Sequence, residues 1–96
     1  MKKKNVYTID LWNKTKDEIY EYCAAYILFY NLKKCCVYAN KIAKLHKDLD
    51  NEIIVRVYAG EYETKQGIFG EPLCIFETSN KKQNYDYPTN VLIQLP

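Results

Sequence analysis

The sequence predicts an α+β domain, with a small antiparallel β-sheet of about four or five strands and one long amphipathic helix packed on one sheet face. Two periodicities support this prediction. Apolar residues alternate at every second position in several short segments, and they recur every three or four residues in one longer segment. A length of 96 residues with 48% hydrophobic side chains is typical of a single domain, 1–96, in the order β-β-α-β-β.

The first strand is predicted over 5–12, where the odd-numbered positions from Tyr7 to Leu11 are apolar and form one side of the strand. A polar run then interrupts the alternation. Residues 17–23 can form one turn of helix, because the two acidic residues that open this segment suit a helix N-terminus.

Residues 23–30 are predicted to form the second strand, because a helix there would have apolar side chains all around its axis. Asn31 is predicted to cap the following helix, since its side-chain oxygen can accept a hydrogen bond from a backbone N–H two or three residues later. An apolar stripe then follows at helical spacing through Leu32, Cys35, Ala39, Ile42, His46 and Leu49, widened by Cys36 and Ala43. The opposite, polar face holds Lys33, Lys34, Asn40, Lys41, Lys44 and Lys47. The helix is expected to run for about four or five turns.

The second half of the chain continues the sheet. Residues 52–60 alternate clearly and predict a strand, and 63–72 predict a hairpin connection that contains Ile68 and Phe69. A further strand is predicted over 72–78. A polar, turn-rich stretch follows it, and 91–95 can form a short last strand.

Composition limits where the protein works. No apolar run approaches the about 20 residues of a membrane span, and the N-terminal lysines lead into an alternating strand instead of a signal-peptide core. The protein is therefore expected in the cytoplasm, where its cysteines stay reduced. Residue types with AT-rich codons, such as Lys, Asn, Ile and Tyr, far outnumber those with GC-rich codons, which points to an AT-rich genome.

The cysteines and the single histidine are predicted to be structural. Adjacent Cys35 and Cys36 point about 100° apart on a helix, so a disulfide between them is disfavoured, with Cys35 in the core and Cys36 at its margin. His46 lies too far along the same helix to act with either thiol, and nothing selects Cys23 or Cys74 as its partner. The paired short spacings of a zinc site are missing. No metal ligand, catalytic residue or cofactor is predicted.

The charge balance disfavours sequence-specific DNA recognition. The formal net charge is only +2, from 14 basic and 12 acidic residues, and Arg56 is the single arginine. Arginine is the side chain that reads guanine edges and phosphates with two hydrogen bonds.

The ten tyrosines provide the most contact area for a binding surface. Several of them fall in polar connections beside lysines, where they either cover the sheet edge or contact a partner. The residues predicted to bind a partner or ligand are Arg56, Tyr62, Lys65, Phe69, Lys81, Lys82, Tyr85 and Tyr87. The sheet face away from the helix, which carries Trp12 and Tyr58, is a candidate surface for a homo-oligomer.

In size and composition the chain resembles small accessory proteins of phages and plasmids, including inhibitors of bacterial immunity. This resemblance implies a non-enzymatic inhibitor that contacts a host protein, such as a defence nuclease, directly. An alternative is a protein that sequesters a nucleotide or signalling molecule between aromatic rings, with lysines and Arg56 on its phosphates. Weak binding of single-stranded nucleic acid is a third hypothesis.

Overall fold

A computed structural model describes residues 6–60, 62–64, 67–69 and 73–89, with only the backbone described for 22–27 and for the two short strands of the 62–69 region. The strands and the helix are β1 (Val6–Lys14), β2 (Ile19–Phe29), α1 (Leu32–Leu45), β3 (Glu52–Gly60), β4 (Tyr62–Thr64), β5 (Gly67–Phe69) and β6 (Leu73–Ser79). The predicted α+β class and the β-β-α-β-β order, to which a short hairpin is added, are confirmed.

The main sheet is antiparallel throughout and has the strand order β2-β1-β3-β6. Its centre is the pair β1–β3, which stays in register without interruption from Val6 opposite Gly60 to Lys14 opposite Glu52. Strands β4 and β5 pair with each other in a separate hairpin, which confirms the backbone predicted for that connection. The predicted last strand, 91–95, lies outside the described residues.

The suggestion of a helical turn over 17–23 is wrong, because β2 already begins at Ile19 and pairs there with Lys14. A tight turn connects β1 to β2. In this turn the Thr15 N–H donates to the carbonyl of Glu18 over 2.8 Å, and the Glu18 N–H donates to Thr15 Oγ1 over 3.2 Å. Pairing with β1 from Ile19 onwards provides hydrogen bonds to the backbone, and it outweighs the weak preference of two acidic residues for a helix start.

The predicted cap of α1 is confirmed, since Asn31 Oδ1 accepts the Lys34 N–H over 3.0 Å. The other end is shorter than predicted. The helix ends at Leu45 and His46 is its C-cap, with a backbone N–H that donates to the Ala43 carbonyl. Leu49, predicted on the apolar stripe, is 46% exposed. The acidic residues after His46 oppose extension, because negative charge is unfavourable at a helix C-terminus.

The core lies between α1 and the inner face of the sheet, meaning the face that α1 covers. Its members are Tyr7, Ile9, Leu11, Cys35, Cys36, Ala39, Ala43, Ile53, Val55, Val57, Ala59 and Phe76. The fully buried side chains that the helix contributes are all small, which lets its backbone approach the sheet closely, while the partly buried Leu32 and Ile42 pack against this core. Cys36, predicted at the core margin, is fully buried like Cys35.

Asn40, predicted on the polar face of the helix, is also buried. Its side chain accepts a hydrogen bond from Thr78 Oγ1 over 2.6 Å and donates to the Asn84 carbonyl over 2.8 Å and to the Tyr87 hydroxyl over 3.2 Å. The prediction failed because the segment that follows β6 crosses this side of the helix. Asn40 therefore holds the segment 80–89 against α1.

A second asparagine, Asn80, joins the connection between α1 and β3 to the end of β6. Its side chain donates to the carbonyls of His46 and Asn51, over 2.7 and 2.9 Å, and accepts the Ile53 N–H over 2.8 Å. The side chain of Asn80 thus binds three backbone groups at the end of the helix and the start of β3, one of which, the His46 carbonyl, also accepts the Leu49 N–H. Within the described part of the chain, no helix is long and apolar enough to cross a membrane.

Candidate functional site

The surface of α1 that points away from the sheet is the strongest candidate for a binding site. We define the outer face of α1 as Lys33, Lys34, Val37, Tyr38, Lys41, Lys44 and Leu45. All four lysines are exposed, Tyr38 is 38% exposed and Leu45 is 82% exposed. The helix directs these side chains outwards because the small and apolar residues at the intervening positions pack into the core.

The N-terminal half of this face opens into a shallow apolar groove of about 500 Å³. The groove runs between the end of β2 and the helix, and Phe29, Val37 and Tyr38 form its apolar part. The rings of Phe29 and Tyr38 pack against each other with centroids 5.3 Å apart. Lys34 and Lys41 also line the groove, so an apolar group in the groove would sit next to positive charge.

The charges of the outer face are not neutralised locally. Among the residues that the structure describes, the ion pairs are Lys14–Glu52 and Arg56–Glu77, and neither involves a lysine of α1. The first turn of the helix contains no acidic residue. A single-sign field of this kind attracts acidic surfaces and repels basic ones.

The segment 80–89 carries four of the residues predicted to make contacts. Lys81 and Lys82 are exposed, but Lys81 Nζ donates to the Leu49 carbonyl. Tyr85 is 62% exposed, and its hydroxyl donates to Gln83. Tyr87 is half-buried, bonded to Asn40 and packed 5.8 Å from the Phe76 ring centroid. Lys82 and Tyr85 therefore face solvent, while Tyr87 also holds the segment in place.

Arg56 lies on the open face of the sheet, meaning the face away from α1. Its Nε donates to Glu77 Oε2 over 2.9 Å, and its guanidinium lies 5.1 Å from the Trp12 ring centroid. Burial lowers the pKa of Arg56, but the hydrogen bonds and charges of Glu77 and Tyr58 together outweigh burial and raise the pKa. Much of its bonding capacity is thus used within the chain. Self-association through this face stays a prediction.

Asp10 shares the open face and lies opposite Arg56 in the β1–β3 register. Burial raises the pKa of its carboxyl, and the nearby negative charge of Glu21 raises it further. Among the described residues, the charged groups of the open face are the acidic Asp10, Glu21, Glu52 and Glu77 and the basic Lys14 and Arg56. The charge of this face is opposite to that of the outer face of α1.

The three remaining predicted contact residues fall in the β4–β5 region. Tyr62 and Phe69 lie opposite each other in the hairpin register. Their side chains, and the whole of Lys65, lie outside the described part of the chain. Their part in binding stays a prediction.

The described thiols are held in their neutral form. Burial raises the pKa of Cys35 to about 12 and that of Cys36 to about 11. Desolvation also raises the pKa of Cys74, although this residue is exposed overall. His46 Nδ1 lies 2.9 Å from the Ile42 carbonyl, the geometry of a structural hydrogen bond. A thiol is a good nucleophile only as the thiolate, so none of these three is activated.

Sequence reasoning recognised the lysines of α1 but missed Tyr38 and Leu45 as part of the same face. The sequence did indicate that both side chains are exposed, because neither residue falls on the three- and four-residue spacing of the buried stripe. The burial of Asn40 was also readable in part. It lies four residues after Cys36 and three before Ala43, which places it beside the core on a helix.

Comparisons with protein-family models, with curated proteins and with solved structures found no match to this chain. Its function is therefore inferred from the chemistry of its own side chains. Among the surfaces described above, the outer face of α1 combines exposed apolar area with positive charge that forms no ion pair with any described acidic residue.

Proposed function

We propose that the protein is a small, non-enzymatic binding protein that contacts an acidic protein surface through the outer face of α1. The observation that carries this proposal is the arrangement of exposed lysines, free of ion pairs among the described residues, around the exposed side chains of Tyr38 and Leu45. Exposed apolar side chains within a charged rim are the usual composition of a protein-binding surface.

Two physical effects act together in such a contact. The lysines steer an acidic partner towards α1 and disfavour basic competitors, which sets the rate and the specificity of association. The apolar side chains supply the free energy gained by removing their surface from water. The long aliphatic part of each lysine can cover apolar surface while its ammonium group stays hydrated.

The sequence-based hypothesis of a host-protein inhibitor is one form of this function. In this form a phage or mobile element encodes the protein, and it blocks a bacterial immunity protein by covering an acidic part of its surface. The small size and the AT-rich composition support the hypothesis. The neutral thiols support a mode of action without covalent chemistry.

The binding function is tested by affinity purification from a bacterial lysate with three baits: the wild type, Lys41→Glu on the outer face, and Lys16→Glu on the β1–β2 turn. The two variants change the net charge equally, and both positions are exposed. We expect a partner protein that the wild type and Lys16→Glu retain equally and that Lys41→Glu retains at least about tenfold less. Retention of the same proteins by all three baits, or of none, would overturn the proposal.

The inhibitor form has its own readout. In bacteria that carry a nuclease-based defence system, expression of the wild type or of Lys16→Glu should raise the plating efficiency of a targeted phage, and Lys41→Glu should not. An unchanged plating efficiency across a panel of defence systems would remove the inhibitor form and leave the binding function standing.

One further observation favours the nucleotide alternative. A cleft of about 630 Å³ lies between the start of α1 and the segment 85–89, with Lys33, Tyr85 and Tyr87 in its lining. Aromatic rings beside a lysine can hold a base and a phosphate. The negative charge of Asp86, in the same lining, would however repel a phosphate. Thermal unfolding in the presence of a nucleotide panel separates the two functions, and unchanged melting temperatures would exclude this one.

A further inference from the structure

The exposed residues of the outer face of α1 follow a heptad-like spacing. Lys34, Tyr38, Lys41 and Leu45 are separated by four, three and four positions. At 100° per residue these four side chains fall within about 60° of one another around the helix axis. They form a straight stripe about 16 Å long in which apolar and basic residues alternate.

We infer that the partner surface recognised by this stripe is an acidic amphipathic α-helix. In that helix apolar residues recur every seven positions, and Asp or Glu lies between them. This inference rests on the proposed function and specifies its partner. A stripe of this spacing fits a second helix laid alongside α1, because side chains three and four residues apart on both helices then interdigitate. The two apolar positions, Tyr38 and Leu45, are seven residues apart. They can therefore contact two apolar residues of the partner helix that are also seven positions apart.

The groove beside the stripe gives the partner helix a fixed position. One large apolar side chain of the partner fits into the groove, against the apolar surface that Phe29, Val37 and Tyr38 form together. Lys34 and Lys41, which also line the groove, then lie next to the acidic residues that flank this side chain. An amphipathic helix seated in an apolar groove is a recurring mode of peptide recognition.

A second copy of this chain is a poor occupant of the stripe. Two copies of the same face would bring their positively charged lysines close together without supplying an acid to neutralise them, and such crowding of like charges is unfavourable. Charge complementarity instead requires acids on the partner.

Single-stranded nucleic acid is also a poorer fit. Binding of this kind relies on aromatic rings on which successive bases stack, and the stripe contains one aromatic residue, Tyr38. Its most exposed apolar member, Leu45, has no stacking face. An aliphatic side chain that is 82% exposed instead suits a protein contact.

The test uses two synthetic peptides of identical composition and charge. In the patterned peptide, leucines recur every seven residues with glutamates at the intervening contact positions. In the scrambled peptide, the leucines are spread around the helix. Fluorescence anisotropy at about 0.15 M salt measures their binding to the whole protein, to Leu45→Ser, to Lys41→Glu, and to the control Leu73→Ser, which replaces an exposed leucine on β6.

We expect the wild type and Leu73→Ser to bind the patterned peptide at least about tenfold more tightly than the scrambled one. Leu45→Ser should lose this preference, and Lys41→Glu should lose binding to both peptides. Equal binding of the two peptides would overturn the inference, as would tighter binding of a fluorescent dT oligonucleotide that Lys41→Glu also abolishes. A partner that Lys41→Glu fails to retain in the purification would still uphold the proposed function, so failure of the inference is distinguishable from failure of the function.

Discussion

The inner and outer sides of α1 differ in side-chain size as well as in polarity. The fully buried residues of the inner side, Cys35, Cys36, Ala39 and Ala43, are all small. The outer face carries long lysines and two large apolar side chains that contribute little to the core. Within one helix, therefore, one set of residues provides stability and a separate set forms the proposed binding surface. Substitutions on one side should leave the property of the other side unchanged.

The sharpest contrast is between neighbours Asn40 and Lys41. Asn40→Ala should lower the free energy of unfolding by at least about 2 kcal/mol, because the Thr78 hydroxyl and the Asn84 carbonyl lose their buried partner, at about 1–3 kcal/mol for each unsatisfied group. Lys41→Ala, one residue later and exposed, should change it by less than about 0.5 kcal/mol. Urea denaturation followed by circular dichroism measures both. Equal effects of the two substitutions would contradict the separation.

The two buried thiols give the next largest effect. Cys35→Ser and Cys36→Ser should each cost about 1–3 kcal/mol, because a hydroxyl in an apolar site loses its hydration without a partner. The sequence alone predicts a larger cost for Cys35, but equal burial makes the two costs similar. Denaturation curves of both variants check this, and a negligible cost for Cys36→Ser would show that its side chain reaches solvent.

The same thiols make stability depend on pH. Their pKa values rise from an ordinary 9.0 to about 12 and about 11 on folding, so the folded state keeps protons that the unfolded state releases. The contribution of the two thiols to the free energy of unfolding is complete below pH 9.0, and it is lost as the pH rises towards their pKa values in the folded state. In the double Cys→Ser variant the decline in unfolding free energy above this pH should be shallower. An identical decline in both proteins would assign it to other groups.

The smallest of these effects concerns the start of the helix, where the two sides of α1 share one cap. Asn31→Ala should cost about 0.5–2 kcal/mol, because the Lys34 N–H loses its acceptor. Asn31→Asp keeps an acceptor and should retain most of the stability, which separates the cap from other effects of the substitution. Thermal unfolding checks both, and a similar loss in the two variants would mean that capping is not the cause.

Much of the fold was readable from the sequence because local patterns agree with the tertiary structure. The alternation in β1 and β3, the switch from strand to helix at Asn31 and the buried stripe up to Ala43 were each predicted and confirmed. The start of β2 at Ile19 and the full burial of Asn40 depend on contacts with other segments, namely the pairing of β2 with β1 and the packing of residues 78–87 on the helix. Local preference alone does not predict these contacts.

The candidate site was predictable only in part, for the same reason. The lysines of α1 follow directly from helical periodicity. The exposure of Leu45, the groove beside Phe29 and the pairing of Arg56 with Glu77 depend on how the helix and β6 lie on the sheet. Prediction from the sequence therefore favoured binding residues with an evident chemical character, such as Arg56. It missed residues that matter because of their position in the fold.

The hydrogen bonds of Asn80 also constrain the order in which the chain folds. This side chain satisfies backbone groups of the α1–β3 connection that lie between 27 and 34 positions earlier in the sequence. Such distant contacts form late, because the intervening loop must close first. While the chain emerges from the ribosome, the Ile53 N–H has no side-chain acceptor until residue 80 is available. The end of the helix and the start of β3 are thus completed only after Asn80, 27 positions beyond Ile53, has been synthesised.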